Sequence, residues 1–143
     1  MIIDTSDWTL VDLVRHRAKA HGGRDFMTFE DGSTLTFESL DRESDRLACN
    51  LSSLGVIPGD RVMALLKNRI EFMLAMIGIM KVGALFVPIN TELKGAFLQH
   101  QMRNAEPRTV FLDHDLRDAF DAVDDGNENL TTVIYVAGNV PDH

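Results

Sequence analysis

One cysteine, four prolines, one tryptophan and one tyrosine occur in 143 residues, and fourteen basic side chains face twenty-two acidic ones. Each shortage excludes something. Cys49 has no partner for an internal disulfide and no companions for a zinc site, so it reads as a small buried or half-buried hydrophobe in a reducing compartment. A formal charge of -8, with no local Lys/Arg cluster to offset it, opposes a nucleic-acid or anionic-membrane partner. The longest apolar stretch, residues 72–89, is not a membrane span. Lys81 sits in its middle, and Gly78, Gly83 and Pro88 divide it into a helix and a strand. The first residues carry Asp4 and Asp7 where a signal peptide needs a basic start, so a cytoplasmic protein is expected.

Compact catalytic signatures are scarce as well. Gly22 and Gly23 precede a strand rather than a helix, and Gly78 and Gly83 fall around a helix end, so neither common glycine-rich phosphate loop is present. No serine sits in a nucleophile elbow, no two histidines have ligand spacing, and the early acidic pair of a response regulator is missing. His16 and His21, five residues apart, do not share a helix face; His100 and His114 have no clustered partners. All four are read as surface or capping residues.

What is present is order. With 45% hydrophobic residues the chain can bury the core of one α/β domain. Its centre, residues 60–90, reads as strand, helix, strand. Arg61 opens an apolar run to Leu66, Asn68 is placed to cap a helix with Glu71 three residues on, and a second apolar run from Leu85 to Ile89 carries Pro88 near its end. Continuous rather than alternating apolar strands are those buried on both faces, so a mostly parallel sheet flanked by helices is expected. The helix between them, residues 69–82, is apolar at Phe72, Met73, Leu74, Met76, Ile77, Ile79 and Met80, and needs neighbours on most sides. Gly83 should end it in a left-handed turn, and Lys81 should extend its head to solvent.

The flanks follow the same punctuation. Thr9 can cap a first helix with a one-sided stripe at Leu10, Val11, Leu13, Val14 and Ala18. Residues 26–30 and 33–36 form a small hairpin, with Asp31-Gly32 suited to a tight primed turn. Residues 37–54 form a helix with Leu40, Leu47, Ala48, Leu51 and Leu54 on one face, and its charged residues, Asp41, Arg42, Asp45 and Arg46 among them, read as a solvated face. After Asn90 the alternation continues: helix near 93–104, strand 109–112, helix 115–123, polar loop 124–129, strand 132–137.

An ordered set of short motifs then resembles a known family. It runs through Leu35-Thr36-Phe37 with Leu40, Arg46-Leu47-Ala48, Leu54-Gly55-Val56, Gly59-Asp60-Arg61-Val62, Asn68, Glu71-Phe72, Gly78, Lys81, Gly83-Ala84 and Val87-Pro88-Ile89-Asn90. In this order and spacing they resemble the N-terminal part of the AMP-forming acyl-CoA synthetases, within the adenylate-forming ligase superfamily, over about residues 9–137. Residues 90–95 and 103–107 are most similar to the crotonobetaine/carnitine-CoA ligase-like branch.

The resemblance implies a two-step ligase. A carboxylate attacks the α-phosphate of ATP with Mg2+ assistance, giving an acyl-adenylate and pyrophosphate, and the CoA thiolate then displaces AMP. It also implies that the phosphate loop, the adenine and ribose motifs and the small C-terminal lid domain with its catalytic lysine lie downstream of the matched stretch. Residues 1–143 are therefore expected to be a partial N-terminal AMP-binding domain, inactive alone and prone to self-association. No catalytic residue and no metal ligand is assigned to these positions, and cofactor-binding residues stay open. Asp60 and Arg61 are expected to pair with neighbours or orient the loop before their strand rather than touch substrate. Two other readings stand beside this one: an adenylation domain of a peptide synthetase or luciferase-like oxidase, and a free-standing α/β binding or interaction module.

Overall fold

Thr9 caps the first helix by accepting the backbone N–H of Asp12 on its hydroxyl at 3.1 Å, as its position before an apolar stripe requires. The computed structural model describes residues 9–123 and 127–137. The acidic start at Asp4 and Asp7, and part of the expected polar loop at 124–129, lie outside the described residues. The order is α1 (Leu10–His21), β1 (Asp25–Thr28), β2 (Thr34–Thr36), α2 (Phe37–Ser53), β3 (Arg61–Leu65), α3 (Ile70–Val82), β4 (Leu85–Pro88), α4 (Gly95–Ala105), β5 (Thr109–Asp113), a 3-10 turn (His114–Leu116), α5 (Arg117–Asp121) and β6 (Thr132–Val136).

β3 to β6 form one parallel sheet in the order β4-β3-β5-β6, and β1 and β2 form a separate antiparallel hairpin. This is the expected α/β architecture, and the apolar runs explain it. β5 is buried at every position and β3 from Val62 to Leu65, because both are interior strands covered on two sides. β4 departs from that expectation. It is an edge strand with Leu85 and Pro88 exposed, so its apolar run is only half covered.

The two faces have separate cores. On one, Ala75 and Ile79 of α3 and Leu51 of α2 meet Val62, Ala64 and Phe111. On the other, Leu98 and Met102 of α4 and Phe120 of α5 meet Met63, Leu65, Val110 and Leu112. The chain moves from β3 to β4 in one direction and returns past β3 to β5 in the other. Right-handed crossovers then force the connecting helix onto the opposite face. The far side of α3 packs Ile77 against Val14, Leu35 and Leu40 of α1, the hairpin and α2, so this all-round apolar helix has neighbours on both sides. At Gly78 the two helices touch closely: a Cβ there would stand 3.0 Å from Leu47 Cδ2.

Several local expectations are corrected. The hairpin turn is not the primed type: Gly32 N–H donates to Phe29 O and Phe29 N–H to Ser33 O, and Gly32 alone in that turn has positive φ, at 82°. Asp31 instead accepts the Ser33 N–H at 2.9 Å, which fixes a longer loop. Asn68 does not cap α3. The N-cap is Arg69, whose side chain makes no capping bond to the helix backbone, and Asn68 lies exposed one residue further out. Cys49 is exposed rather than half-buried, because it lies two positions from both Leu47 and Leu51, about 200° round α2 from the covered stripe. Leu54 is the C-cap of α2 and leaves that stripe for solvent. Gly83, by contrast, is the left-handed C-cap expected, at φ 84°.

The carboxyl end of the sheet as candidate functional site

In an open parallel sheet, ligands reach the crevice beyond the carboxyl ends of the strands, where successive loops turn to opposite faces. Here β3 exits toward α3 on one face, while β4 and β5 exit toward α4 and α5 on the other, so crevices open on both sides of the end of β3.

The crevice beside β5 is closed by a polar network. Asp113, the last residue of β5, is 2% exposed, and one of its oxygens accepts Arg69 Nη1 at 2.8 Å. Its other oxygen accepts the Lys67 backbone N–H at 2.8 Å. Arg69 also donates from Nε to Glu71 at 2.8 Å and from Nη2 to the Ala137 carbonyl at 2.9 Å, just past β6. Lys67 reaches Asp115 at 2.8 Å across the same gap. Burial works against the charge on Arg69, but the Glu71 and Asp113 carboxylates outweigh it and hold the guanidinium above its ordinary pKa. The hydrogen bond between Lys67 and Asp115 raises the lysine and lowers the aspartate.

The crevice beside β4 is an open cleft of about 390 Å3, lined by Lys67, Asn68, Phe72, Pro88, Asn90 and Thr91 among others. Its floor is apolar and its rim carries amides and a hydroxyl. The one cation on it, Lys67, is already paired. Two cations and three carboxylates therefore gather at the carboxyl end, each cation in contact with at least one carboxylate. That set does not match a triphosphate, which needs uncommitted cations or a nest of backbone N–H groups. ATP and Mg2+ are not fitted by these residues, and no step of chemistry is assigned to them.

At the opposite, amino end of the sheet, Arg61 lies against Glu106, donating to its carboxylate and to its carbonyl at 3.2 Å. Asp60 accepts the Ile57 N–H at 3.0 Å and stands 3.8 Å from Arg108. Both residues pair with neighbours and shape the loop before β3, as expected. Lys81 does not reach solvent: its side chain is 2% exposed and its ammonium lies between Asp41 and Asp45 of α2. Those two aspartates are thus part of an interhelical contact as well as of the helix surface. His16, His100 and His114 are exposed and dispersed along the fold. Among the described residues, no group of three or more His, Cys, Asp or Glu side chains could hold a metal ion, and no helix is long and apolar enough to cross a membrane.

Sequence reasoning passed over Lys67, Arg69, Asp113 and Asp115. The signal was available in outline, since both interior apolar strands break into charge at their carboxyl ends, Lys67 to Arg69 after β3 and Asp113 to Asp115 at the end of β5. Their mutual approach is set by the register Leu65↔Leu112, which no local pattern supplies.

Known proteins resemble this chain in sequence and in fold. A sequence model of the AMP-binding enzymes matches residues 14–143. The fatty acid–acyl-carrier-protein ligase ScoC of Streptomyces coeruleorubidus is 37% identical over 83 residues, 58% of this chain and 16% of the relative. A medium/long-chain-fatty-acid–CoA/3-oxocholest-4-en-26-oate–CoA ligase of Mycobacterium marinum is 29% identical over 127 residues, 89% of this chain and 23% of the relative. The chain thus spans less than a quarter of the length of either. The crystal structure of the N-terminal domain of FACL13 from Mycobacterium tuberculosis superposes with a TM-score of 0.83 over 90% of this chain and 34% of that one; at 24% identity it shares the fold. With its family match covering all but the first thirteen residues, the chain belongs to the AMP-binding enzyme family.

Proposed function

We propose that this chain is the N-terminal sheet-and-helix platform of an ATP-dependent, AMP-forming acid:CoA ligase, and that alone it makes no acyl-adenylate. The observation that carries the second half is the internal pairing of Lys67 and Arg69 with Asp115, Glu71 and Asp113. With Lys67 and Arg69 committed to the chain's own carboxylates, neither is free for the leaving pyrophosphate. In the whole protein, ATP, Mg2+, a small carboxylate and CoA are handled by groups beyond this stretch, in the cytoplasm where those metabolites are found. The finer placement in the crotonobetaine/carnitine-CoA ligase-like branch rests on residues 90–95 and 103–107.

A carrier-protein thiol in place of CoA is the second reading, favoured by the 37% identity to an acyl-carrier-protein ligase. Assaying the full-length protein with a carboxylate panel, once with CoA and once with a phosphopantetheinylated carrier, separates the two. For the chain itself, calorimetric titration with ATP-Mg2+ is expected to show no binding tighter than about 100 μM. Tighter binding, worth about 5.5 kcal/mol or more, requires a formed site and overturns the proposal.

A further inference from the structure

We propose that Arg69 is a latch that couples the seating of β6, the outer strand of the sheet, to the turn that opens α3. This goes beyond the ligase reading and does not depend on it. Arg69 follows β3, yet its guanidinium reaches the Ala137 carbonyl at 2.9 Å, two strands away. It spans that distance over Asp113 at the end of β5, with 2.8 Å between Nη1 and the carboxylate. Its third nitrogen is held by Glu71 in the first turn of α3, also at 2.8 Å. Each donor direction of a planar fork thus has its own acceptor, on α3, on β5 and just past β6.

Such a three-way contact fixes position as well as adding energy, because a guanidinium cannot rotate one bond without losing the others. A lysine ammonium, a point donor on a flexible stem, cannot reproduce it. Arg69 is only one-fifth exposed and Asp113 2% exposed, so solvent competes weakly at that pair, while the arm to Ala137 reaches an exposed residue. β6 needs such a hold: its side chains are half-buried or exposed, and β5 is the only strand of the sheet it pairs with among the described residues. Seated by Arg69, β6 presents its outer edge at a fixed angle, and the crevice between β3 and β5 stays shut. Released, the same strand frays from its carboxyl end and the crevice opens.

Hydrogen exchange read by mass spectrometry tests this on the 143-residue chain, comparing wild type with Arg69→Ala, Arg69→Lys and Arg117→Ala. The last removes a cation 6.0 Å from the ring of Tyr135, a contact with β6 that is not part of the latch. Amides of residues 132–137 are expected to exchange about tenfold faster in both Arg69 variants, the loss of a charged hydrogen bond. Amides of α2 should keep their wild-type rates, and Arg117→Ala should leave β6 unchanged. Should Arg69→Ala fail to fold, Arg69→Lys carries the comparison. Equal acceleration in α2 and β6, a β6 rate unmoved in Arg69→Lys, or the same acceleration in Arg117→Ala overturns the proposal.

Discussion

Lys81 Nζ stands 2.6 Å from Asp41 Oδ1 and 2.7 Å from Asp45 Oδ1, and also donates to the Asp41 carbonyl at 2.8 Å. The lysine side chain is 2% exposed, Asp41 24% and Asp45 54%. All three protons of the ammonium therefore find acceptors on α2, and the buried cation pins α2 against α3. Lys81→Ala is expected to cost about 2–4 kcal/mol, since it leaves a partly buried carboxylate without its cation. Asp45→Asn, at the exposed end of the same contact, should cost less than about 1 kcal/mol. Urea midpoints at equal slope measure both. Equal losses would show that the exposed Asp45 end carries the contact and that the buried Asp41 end adds nothing.

Gly83 has φ 84°, and a Cβ there would meet the Pro58 ring at 3.3 Å. Gly83→Val should therefore lower stability by at least about 1 kcal/mol, from backbone strain and from pressure on a rigid ring. Gly83→Asn, which tolerates the left-handed region, should lose less. A denaturation midpoint unmoved by valine would contradict this turn geometry.

Elements and their order were legible because periodicity and turn residues are local. The apolar runs at 61–66 and 109–112, the helix over 69–82 and the stop at Gly83 could all be read before any contact was known. What escaped reading depends on residues distant in the chain. Lys81 looked solvent-bound because nothing nearby says that α2 lies over that side of α3; its partner Asp41 is forty positions earlier. Asn68 looked like a cap because its chemistry suits one, yet Arg69 is drawn into an extended backbone, φ -156°, with its side chain on Asp113 and Ala137, and the helix starts later. The carboxyl-end network was hidden for the same reason: its cations and carboxylates come from two strands whose adjacency is a fact of topology.

Acid should weaken the fold gradually. Asp115 is lowered first by its bond from Lys67, Asp31 by Ser33, Asp12 by Thr9 and Glu43 by Arg42. A carboxylate lowered on folding binds fewer protons in the native than in the unfolded chain. Its contribution is present above the unfolded pKa, about 4, and is lost as pH falls through the folded value. Lys67, which is raised, contributes below its unfolded value and loses that contribution in alkali. The carboxylates are exposed, so the acid slope should be shallow and flatten further in high salt. Melting temperatures from pH 7 to pH 3, for wild type and Asp115→Asn, give the test: a fold that strengthens toward pH 3 contradicts the assignment.

The last expectation concerns the two open edges of the sheet, which differ. At β4, Leu85 N–H bonds to Asp60 O and Ile89 N–H to Ala64 O, so by alternation Pro88 faces outward, where it offers no donor. At β6, Thr131 N–H bonds to Arg108 O, and the same alternation turns the amides of Ile134 and Val136 outward on a strand without proline or charge. Such an edge is a template for another strand. Exposed Tyr135 lies on it, whereas exposed Leu54, Ile57 and Leu85 belong to the region around the start of β4. The 143-residue chain is therefore expected to self-associate, with light-scattering mass rising across a concentration series. Tyr135→Lys should reduce that rise, because a charge on an open edge disfavours pairing, while Leu85→Lys should reduce it less. A clean monomer at all concentrations, with little dye binding to apolar surface, would reject the platform reading in its strong form and favour a free-standing α/β module.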